Sequence, residues 1–406
     1  MSGRATKPLH VLFTLLPATG SLHPLLPLAS ELQARGHAVK MLSSASFGRD
    51  IERHGMESAS GGLDFLFSDA RYFQILLAEA GVEFPNLTGD ERFGWVVDNL
   101  FIRVAAKRML PDAVDFARRW RADLIVRESL EFSGCVAAEH LGIAHASVAA
   151  AADSALDRSA TWAPALAELR ASLGLAPTDA SAMVYRHLHI CFTPPSFDGP
   201  GARFPSTAMF FRHLDAAPPV EAMPAWLRSL SRSPTVLVSL GTVFYRMPGV
   251  YEAILEALAG EQINLLVASG ADEDPARFGS QPANVHIERY LPISSLLPTV
   301  DLFVTHGGFN SVKESLSAGT PMVVIPLGGD QHYAAARCEA LGVGVAVPPN
   351  ARTPSSIRAA ALQVLGEPRY RDRAAAIRAE IRALPDVGQA VGLLERLGRR
   401  IAVLPA

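Results

Sequence analysis

Residues 302–331 read LFVTHGGFNSVKESLSAGTPMVVIPLGGDQ. An apolar, β-branched run (302–305) ends on His306-Gly307-Gly308, a helical stretch follows, and a second apolar run comes at 322–325. Strand, glycine turn, helix and strand make a βαβ unit, and such units build parallel sheets covered on both faces. Glycines let the backbone approach a ligand closely, and free N–H groups at a helix start hold an anion. The turn therefore suits a diphosphate. The plainer alternative is an ordinary strand-to-helix turn with His306 as a satisfied cap.

The same grammar recurs along the chain. Residues 235–239 form an expected strand, Leu240-Gly241-Thr242 a turn, 251–258 a helix and 264–268 another strand. In the first half, strand 10–16, helix 24–35 closed by Gly36 and strand 38–42 repeat the unit, followed by strand 123–126, helix 133–140 and strand 145–149. Residues 153–190 read as helical. Prolines 194, 195, 200, 205, 218, 219, 224 and 234 then crowd together, and proline blocks interior helix and strand hydrogen bonding. The expectation is an α/β protein of two Rossmann-like parallel-sheet domains facing across a cleft. It assigns 1–212 to the first domain, 213–233 to a linker, 234–385 to the second domain, and 386–406 to a C-terminal helix with a return to the first domain as an option. Ligands in such sheets bind beyond the carboxyl ends of the strands.

Bulk properties agree. A chain of 406 residues, 49% hydrophobic and 19% charged, carries material for two cores. Lysine and arginine number 37 against 40 aspartates and glutamates, a net charge of −3, which implies no attraction to nucleic acid. Cys135, Cys191 and Cys338 share no metal-ligand spacing, so a reducing cytoplasm fits. The apolar start reads as a buried strand rather than a signal peptide, and no stretch approaches the roughly 20 apolar residues of a membrane span.

The segment HGGFNSVKESLSAGTPMVVIPLGGDQ resembles the donor-binding signature of family 1 glycosyltransferases, including bacterial natural-product enzymes, and the order of elements agrees with that family over essentially the whole chain. The resemblance implies a GT-B fold and transfer of a sugar from a UDP- or dTDP-linked donor to a small, apolar acceptor in antibiotic biosynthesis. It further implies inversion, no metal and no cofactor, in a monomer or homodimer. It assigns the diphosphate to His306, Gly308, Asn310 and Ser311, within the turn that also holds Gly307; the residues themselves add the hydroxyl-rich turn of Ser239, Gly241 and Thr242 at the end of a strand. Glu314 matches the residue holding the ribose hydroxyls, and Asp330 with Gln331 the pair facing the donor sugar. Arg289-Tyr290-Leu291-Pro292-Ile293 resembles the Trp-Val-Pro-Gln segment under the base. Tyr290 keeps a flat face there, and Ile293 loses a polar contact.

In the first half, Gly20-Ser21-Leu22-His23-Pro24 departs from the family pattern Gly-His-x-x-Pro. Ser21 stands where the family has its general base, and a hydroxyl is no base near neutral pH without help. His23, two residues on, and Glu128, where the family places the carboxylate behind the base, are the remaining candidates. Glu128 reads equally as an exposed charge near a helix. Asp272-Glu273-Asp274 reads as a solvated loop rather than a metal site. Two alternatives stay open: an impaired or accessory nucleotide-sugar-binding protein, and a sugar-nucleotide epimerase of the same fold. Apolar residues in 63–110, including Phe65, Phe67, Tyr72, Phe73, Phe84 and Phe93, suit an acceptor pocket or a core.

Overall fold

A computed structural model describes residues 7–87, 89–151, 159–213, 226–227, 230–270 and 272–401. The chain divides into two compact units: Met1–Phe192 with Pro200–His213 and Pro385–Ala406, and Thr193–Gly199 with Leu214–Leu384. Most of the expected linker, 214–225 and 228–229, lies outside the described residues.

The first unit holds a parallel sheet of β1 (His10–Thr14), β2 (Ala38–Ser43), β3 (Glu57–Ser60), β4 (Leu124–Glu128), β5 (Ala144–Val148), β6 (Leu188–Cys191) and β7 (Ala208–Phe210), in the order β3-β2-β1-β4-β5-β6-β7. The second holds β8 (Thr235–Ser239), β9 (Asn264–Ala268), β10 (Val285–Glu288), β11 (Leu302–Thr305), β12 (Met322–Val324) and β13 (Gly344–Ala346), in the order β10-β9-β8-β11-β12-β13. Every pairing is parallel. Strands β4, β5, β9 and β11 are buried at every residue, as strands covered on both faces must be, and β9 and β11 accordingly read as mainly apolar runs.

Two expectations need correction. The stretch 153–190 is not helical throughout: helices Ser159–Ala171 and Ala180–Val184 give way to β6. Its short sequence, Leu-His-Ile-Cys, buries a histidine on one face and so lacks an obvious strand signature. Within the proline-rich stretch, residues 195–197 form a single turn, and the proline-free Ala208–Phe210 completes the first sheet as its edge strand.

Helix Val387–Ile401 packs against helix Leu26–Ala34 and against β4 and β5. Val387, Ala390, Val391 and Leu394 enter the core beside Val11, Phe13 and Val126. Polar ties fix its rim: Arg35 donates to the Gly388 carbonyl at 2.8 Å, and the His37 imidazole meets Glu395 at 2.9 Å.

The opposite face of β5 and β6 carries a buried polar layer. Ser147 Oγ lies 2.6 Å from His189 Nδ1, and the His145 and His187 rings meet edge-on at 5.1 Å. Burial, then the charges of Arg127, His187 and Arg186, holds His145 well below its ordinary value. His145 is thus neutral when folded, whereas in the unfolded chain it binds a proton below about 6.5. Its contribution to stability is complete above that pH and is lost as pH falls. Glu128, held above the usual carboxylate range, acts in the opposite direction, so comparison with a variant isolates the histidine. In urea unfolding at pH 7 and pH 5, His145→Gln is expected to lose less stability than the wild type on acidification. Equal losses would contradict this.

Candidate functional site

In the second unit, β8 and β11 are neighbours, with Thr305 paired to Ser239, so the turns after both strands emerge side by side. His306 follows β11 directly and is buried. Its imidazole donates to the Ser239 carbonyl, and burial pushes its pKa down to about 4, so the ring is neutral. Two glycines make room for it. A Cβ at Gly241 would stand 2.5 Å from His306 Cε1, and one at Gly308 would stand 2.4 Å from Nε2. Gly241 and Gly307 also adopt positive φ, 72° and 85°, which disfavours any other residue. His306 thereby braces the 239–242 and 306–308 turns.

Gly308 caps helix Phe309–Ala318 without a side-chain hydrogen bond. Backbone N–H groups of the first turn, with the positive end of the helix dipole, are available to an anion. Asn310 and Ser311 sit in that turn, and Ser239 and Thr242 bring hydroxyls beside it. Glu314, one turn further and half-buried, accepts from Ser294 Oγ at 3.0 Å, and burial raises its pKa. Tyr290 is 78% exposed, an unusual state for a large aromatic and the one a stacking platform requires. Leu291 turns its side chain into the core, leaving only its backbone for a ligand.

Asp330 occupies the N-cap position of helix Gln331–Ala340 without capping it through its side chain. Gln331 is buried, and its Oε1 accepts from Leu327 N at 2.8 Å and Gly328 N at 3.0 Å. One half of the carboxamide thus shapes the loop, and its NH2 takes part in neither contact. Phe244, not anticipated from the sequence, packs against both parts of the site. Its ring centre is 6.1 Å from that of His306, and a Cβ on Gly328 would come within 2.9 Å of it. The only sequence signal was its position two residues after Thr242.

In the first unit, β1 and β4 are neighbours. The chain leaves β1 into a one-turn helix, Thr19–Leu22, that carries Ser21. Glu128 ends β4 and is fully buried, which removes the solvent-exposed reading of it. Its Oε2 accepts from Leu130 N at 2.7 Å, and its Oε1 is 3.4 Å from Leu16 N and 3.5 Å from Ser21 Oγ. Such long contacts are common at ligand-free sites. Burial, reinforced by Glu131, raises Glu128 to about 7 against the opposing hydrogen bonds and Arg127. His23 sets its ring against His54, 5.7 Å away and edge-on. Arg127 and Glu131, also unanticipated, share the Glu128 turn.

A small cavity in this unit is lined by Leu16, Phe65, Phe101, Met109 and Phe132, with Ser44 and Glu131 as polar members. Phe65 belongs to the core, whereas Phe67, Tyr72, Phe73 and Phe84 are half-buried in a run of ring contacts of 4.8–5.9 Å. The 272–274 carboxylates are engaged separately: Asp272 by Tyr245 and Arg246, Glu273 by Arg277, and Asp274 by Ala276 N. Among the described residues no His/Cys/Asp/Glu group is gathered to hold a metal, and no helix is long and apolar enough to cross a membrane.

Residues 30–241 match the N-terminal domain, and residues 253–397 the C-terminal domain, of the erythromycin biosynthesis protein CIII-like family. The chain is 30% identical to 4'-demethylrebeccamycin synthase of Lentzea aerocolonigenes, covering 95% of this chain and 99% of that protein. It is 28% identical to aclacinomycin-T 2-deoxy-L-fucose transferase of Streptomyces galilaeus, covering 95% and 96%. The fold matches the crystal structure of glycosyltransferase VinC in complex with dTDP, with TM-score 0.77, 24% identity and coverage of 97% and 100%. The architecture is GT-B.

Gln331→Glu keeps both acceptor contacts to Leu327 and Gly328 but removes the NH2 donor. The expected outcome is an unchanged melting temperature with kcat/KM for the sugar nucleotide lowered at least about tenfold, the loss of roughly one hydrogen bond in a desolvated site. Affinity for the sugar-free nucleoside diphosphate, measured by calorimetry, should not change. Unchanged kcat/KM would remove Gln331 from the sugar site.

Proposed function

The chain belongs to the erythromycin biosynthesis protein CIII-like family and is a nucleotide-sugar glycosyltransferase of natural-product biosynthesis, and on that premise we propose an inverting, metal-independent transfer to a small apolar acceptor in which Glu128 takes the acceptor proton through Ser21. The donor is a UDP- or dTDP-linked sugar. Its base lies on Tyr290, its ribose meets Glu314, and its diphosphate lies at the start of helix Phe309–Ala318. Asp330 and the Gln331 NH2 meet the sugar.

The observation that carries the mechanism is the Ser21–Glu128 pair: a hydroxyl 3.5 Å from a buried carboxylate held at about 7. A carboxylate of that basicity is poised to accept a proton near neutral pH, whereas an ordinary one at about 4.3 is too weak. The acceptor hydroxyl donates to Ser21 Oγ while the Ser21 proton moves to Glu128 Oε1. The acceptor oxygen then forms its bond to the sugar C1, and the C1–O bond to the diphosphate breaks with its electron pair leaving on the phosphate oxygen. One displacement inverts C1. Helix N–H groups and the Ser239 and Thr242 hydroxyls meet the negative charge of the leaving group, a role that a divalent cation plays elsewhere.

Transfer is expected to persist in EDTA. Glu128→Gln should lower kcat by about 10²–10⁴ with little change in nucleotide affinity, the usual worth of a general base. Ser21→Ala should cost less, because a water can bridge the gap, and Ser21→His should remain active. Mass-spectrometric assays with UDP- and dTDP-sugars and a panel of phenols, alcohols and amines read each variant. Full activity of Glu128→Gln would remove it as the base. Nucleotide binding without transfer, with Ser21→His active, would favour an impaired or accessory protein.

A further inference from the structure

The β4 turn holds more charge than the transfer reaction requires. Arg127 is fully buried, yet its guanidinium pairs with neither neighbouring carboxylate. Instead Nη1 donates to the carbonyls of Glu128 (3.1 Å), Ser129 (2.9 Å) and Glu131 (3.0 Å), and Nη2 to Val184 O (2.8 Å). Three carbonyls of a five-residue turn are thus gathered on one nitrogen, and the fourth bond ties the turn to the end of helix Ala180–Val184. The guanidinium also lies over the Phe132 ring, 5.7 Å from its centre.

Glu131, also buried, is saturated with donors. Thr14 Oγ1 (2.5 Å) and Gly134 N (3.0 Å) meet one oxygen, and Ser133 N (2.6 Å) and the Ser133 hydroxyl meet the other, at the start of helix Ser133–Leu141. Four donors on its two oxygens fix the position of the Glu131 carboxyl at the start of that helix. We propose that Arg127 and Glu131 are positioning residues for Glu128, the first bracing the turn that carries it and the second fixing the charge beside it.

The inference rests on the reading of Glu128 as the base. Around Glu128, the end of β1 presents the Leu16 N–H, the Thr19–Leu22 turn presents Ser21, and its own turn presents the Leu130 N–H, Arg127 and Glu131. Helix Ser133–Leu141 brings Cys135 near the same charges, but burial pushes its thiol up to about 11, so it is neutral. His145 on β5, which faces Arg127, is likewise neutral. The charges acting on Glu128 are therefore those of Arg127 and Glu131, of opposite sign. A side chain that served packing alone would not move the protonation of Glu128 in a direction set by its charge.

Infrared titration of the full ligand-free chain reads the C=O band of the protonated carboxyl, assigned to Glu128 by its loss in Glu128→Gln. The wild-type midpoint is expected at about 7. Glu131→Gln should lower it, and Arg127→Met should raise it, each by about one pH unit, tenfold in proton affinity. Arg127→Lys keeps the charge but not the fork that reaches several carbonyls. Its midpoint should stay near the wild type while kcat with dTDP-glucose and 4-methylumbelliferone falls at least about tenfold at unchanged donor KM. If the wild type does not turn over that pair, the midpoints decide alone. If Arg127→Met does not fold, Glu131→Gln and Arg127→Lys decide. Midpoints that stay with the wild type in Glu131→Gln, or move the same way in Glu131→Gln and Arg127→Met, overturn the inference. Full activity of Glu128→Gln would instead overturn the base assignment and leave the midpoint order untouched.

Discussion

Strand order is the constraint on which the rest of the structure depends. In each unit the sequence runs outward from a first strand in one direction, then returns to that strand's other side. The reversal leaves β1 beside β4 and β8 beside β11. Right-handed crossovers then cover opposite faces of the sheet, and the turns leaving the two central strands emerge side by side at their carboxyl ends. Ser21 and Glu128 meet there in the first unit, and Ser239 and His306 in the second. The hydrophobic effect enforces the arrangement, since central strands buried on both faces have no other way to satisfy their side chains. The candidate site residues lie at the strand ends and the turns that follow them, although β5 and β6 also bury a polar layer between them.

Burial then does different things at the two ends. At Glu128 it raises a carboxylate toward neutrality and makes it basic enough to accept a proton. At His306 it removes charge from an imidazole that is packed between glycines and bonded to a backbone carbonyl. The same desolvation produces a proton acceptor in one unit and an uncharged brace in the other. Which result appears depends on whether the group is an acid or a base when neutral.

Much of the framework was readable without coordinates because it is written in local patterns. The apolar runs placed β1, β2, β4, β5, β8, β9, β11 and β12, and the ends of β1, β4, β8, β11 and β12 with the segments after them carry every anticipated site residue except Tyr290 and Leu291, which follow β10. The strands that escaped notice are β3, β6, β7, β10 and β13, which lie away from the centre of each sheet. They are short, and several carry small or polar residues, as in Glu-Ser-Ala-Ser or Gly-Val-Ala, so they lack the period that signals a strand. Site residues escaped for a different reason. Nothing in the sequence marks Arg127 or Phe244 until the packing around each is in view. A residue whose partners are backbone carbonyls from two distant segments leaves no trace in spacing.

A serine in place of the family's histidine need not cost the reaction its proton acceptor. A histidine–carboxylate pair works because the imidazole takes the proton and the carboxylate behind it stabilises the resulting cation. Replacing the imidazole with a hydroxyl removes the intermediate base but leaves a donor–acceptor group of shorter reach in the same place. A hydroxyl can pass a proton on, yet it cannot hold one, so the burden falls on the group behind it. An exposed carboxylate would be too weak. A buried one, kept basic by desolvation and a neighbouring anion yet prevented from collapsing onto a cation, is not. Arg127 satisfies that last condition through its geometry, because its guanidinium is committed to carbonyl oxygens and forms no ion pair with Glu128. A direct ion pair would hold Glu128 ionised at neutral pH but would lower its affinity for the proton, and a base stabilised in that way would be a poor one.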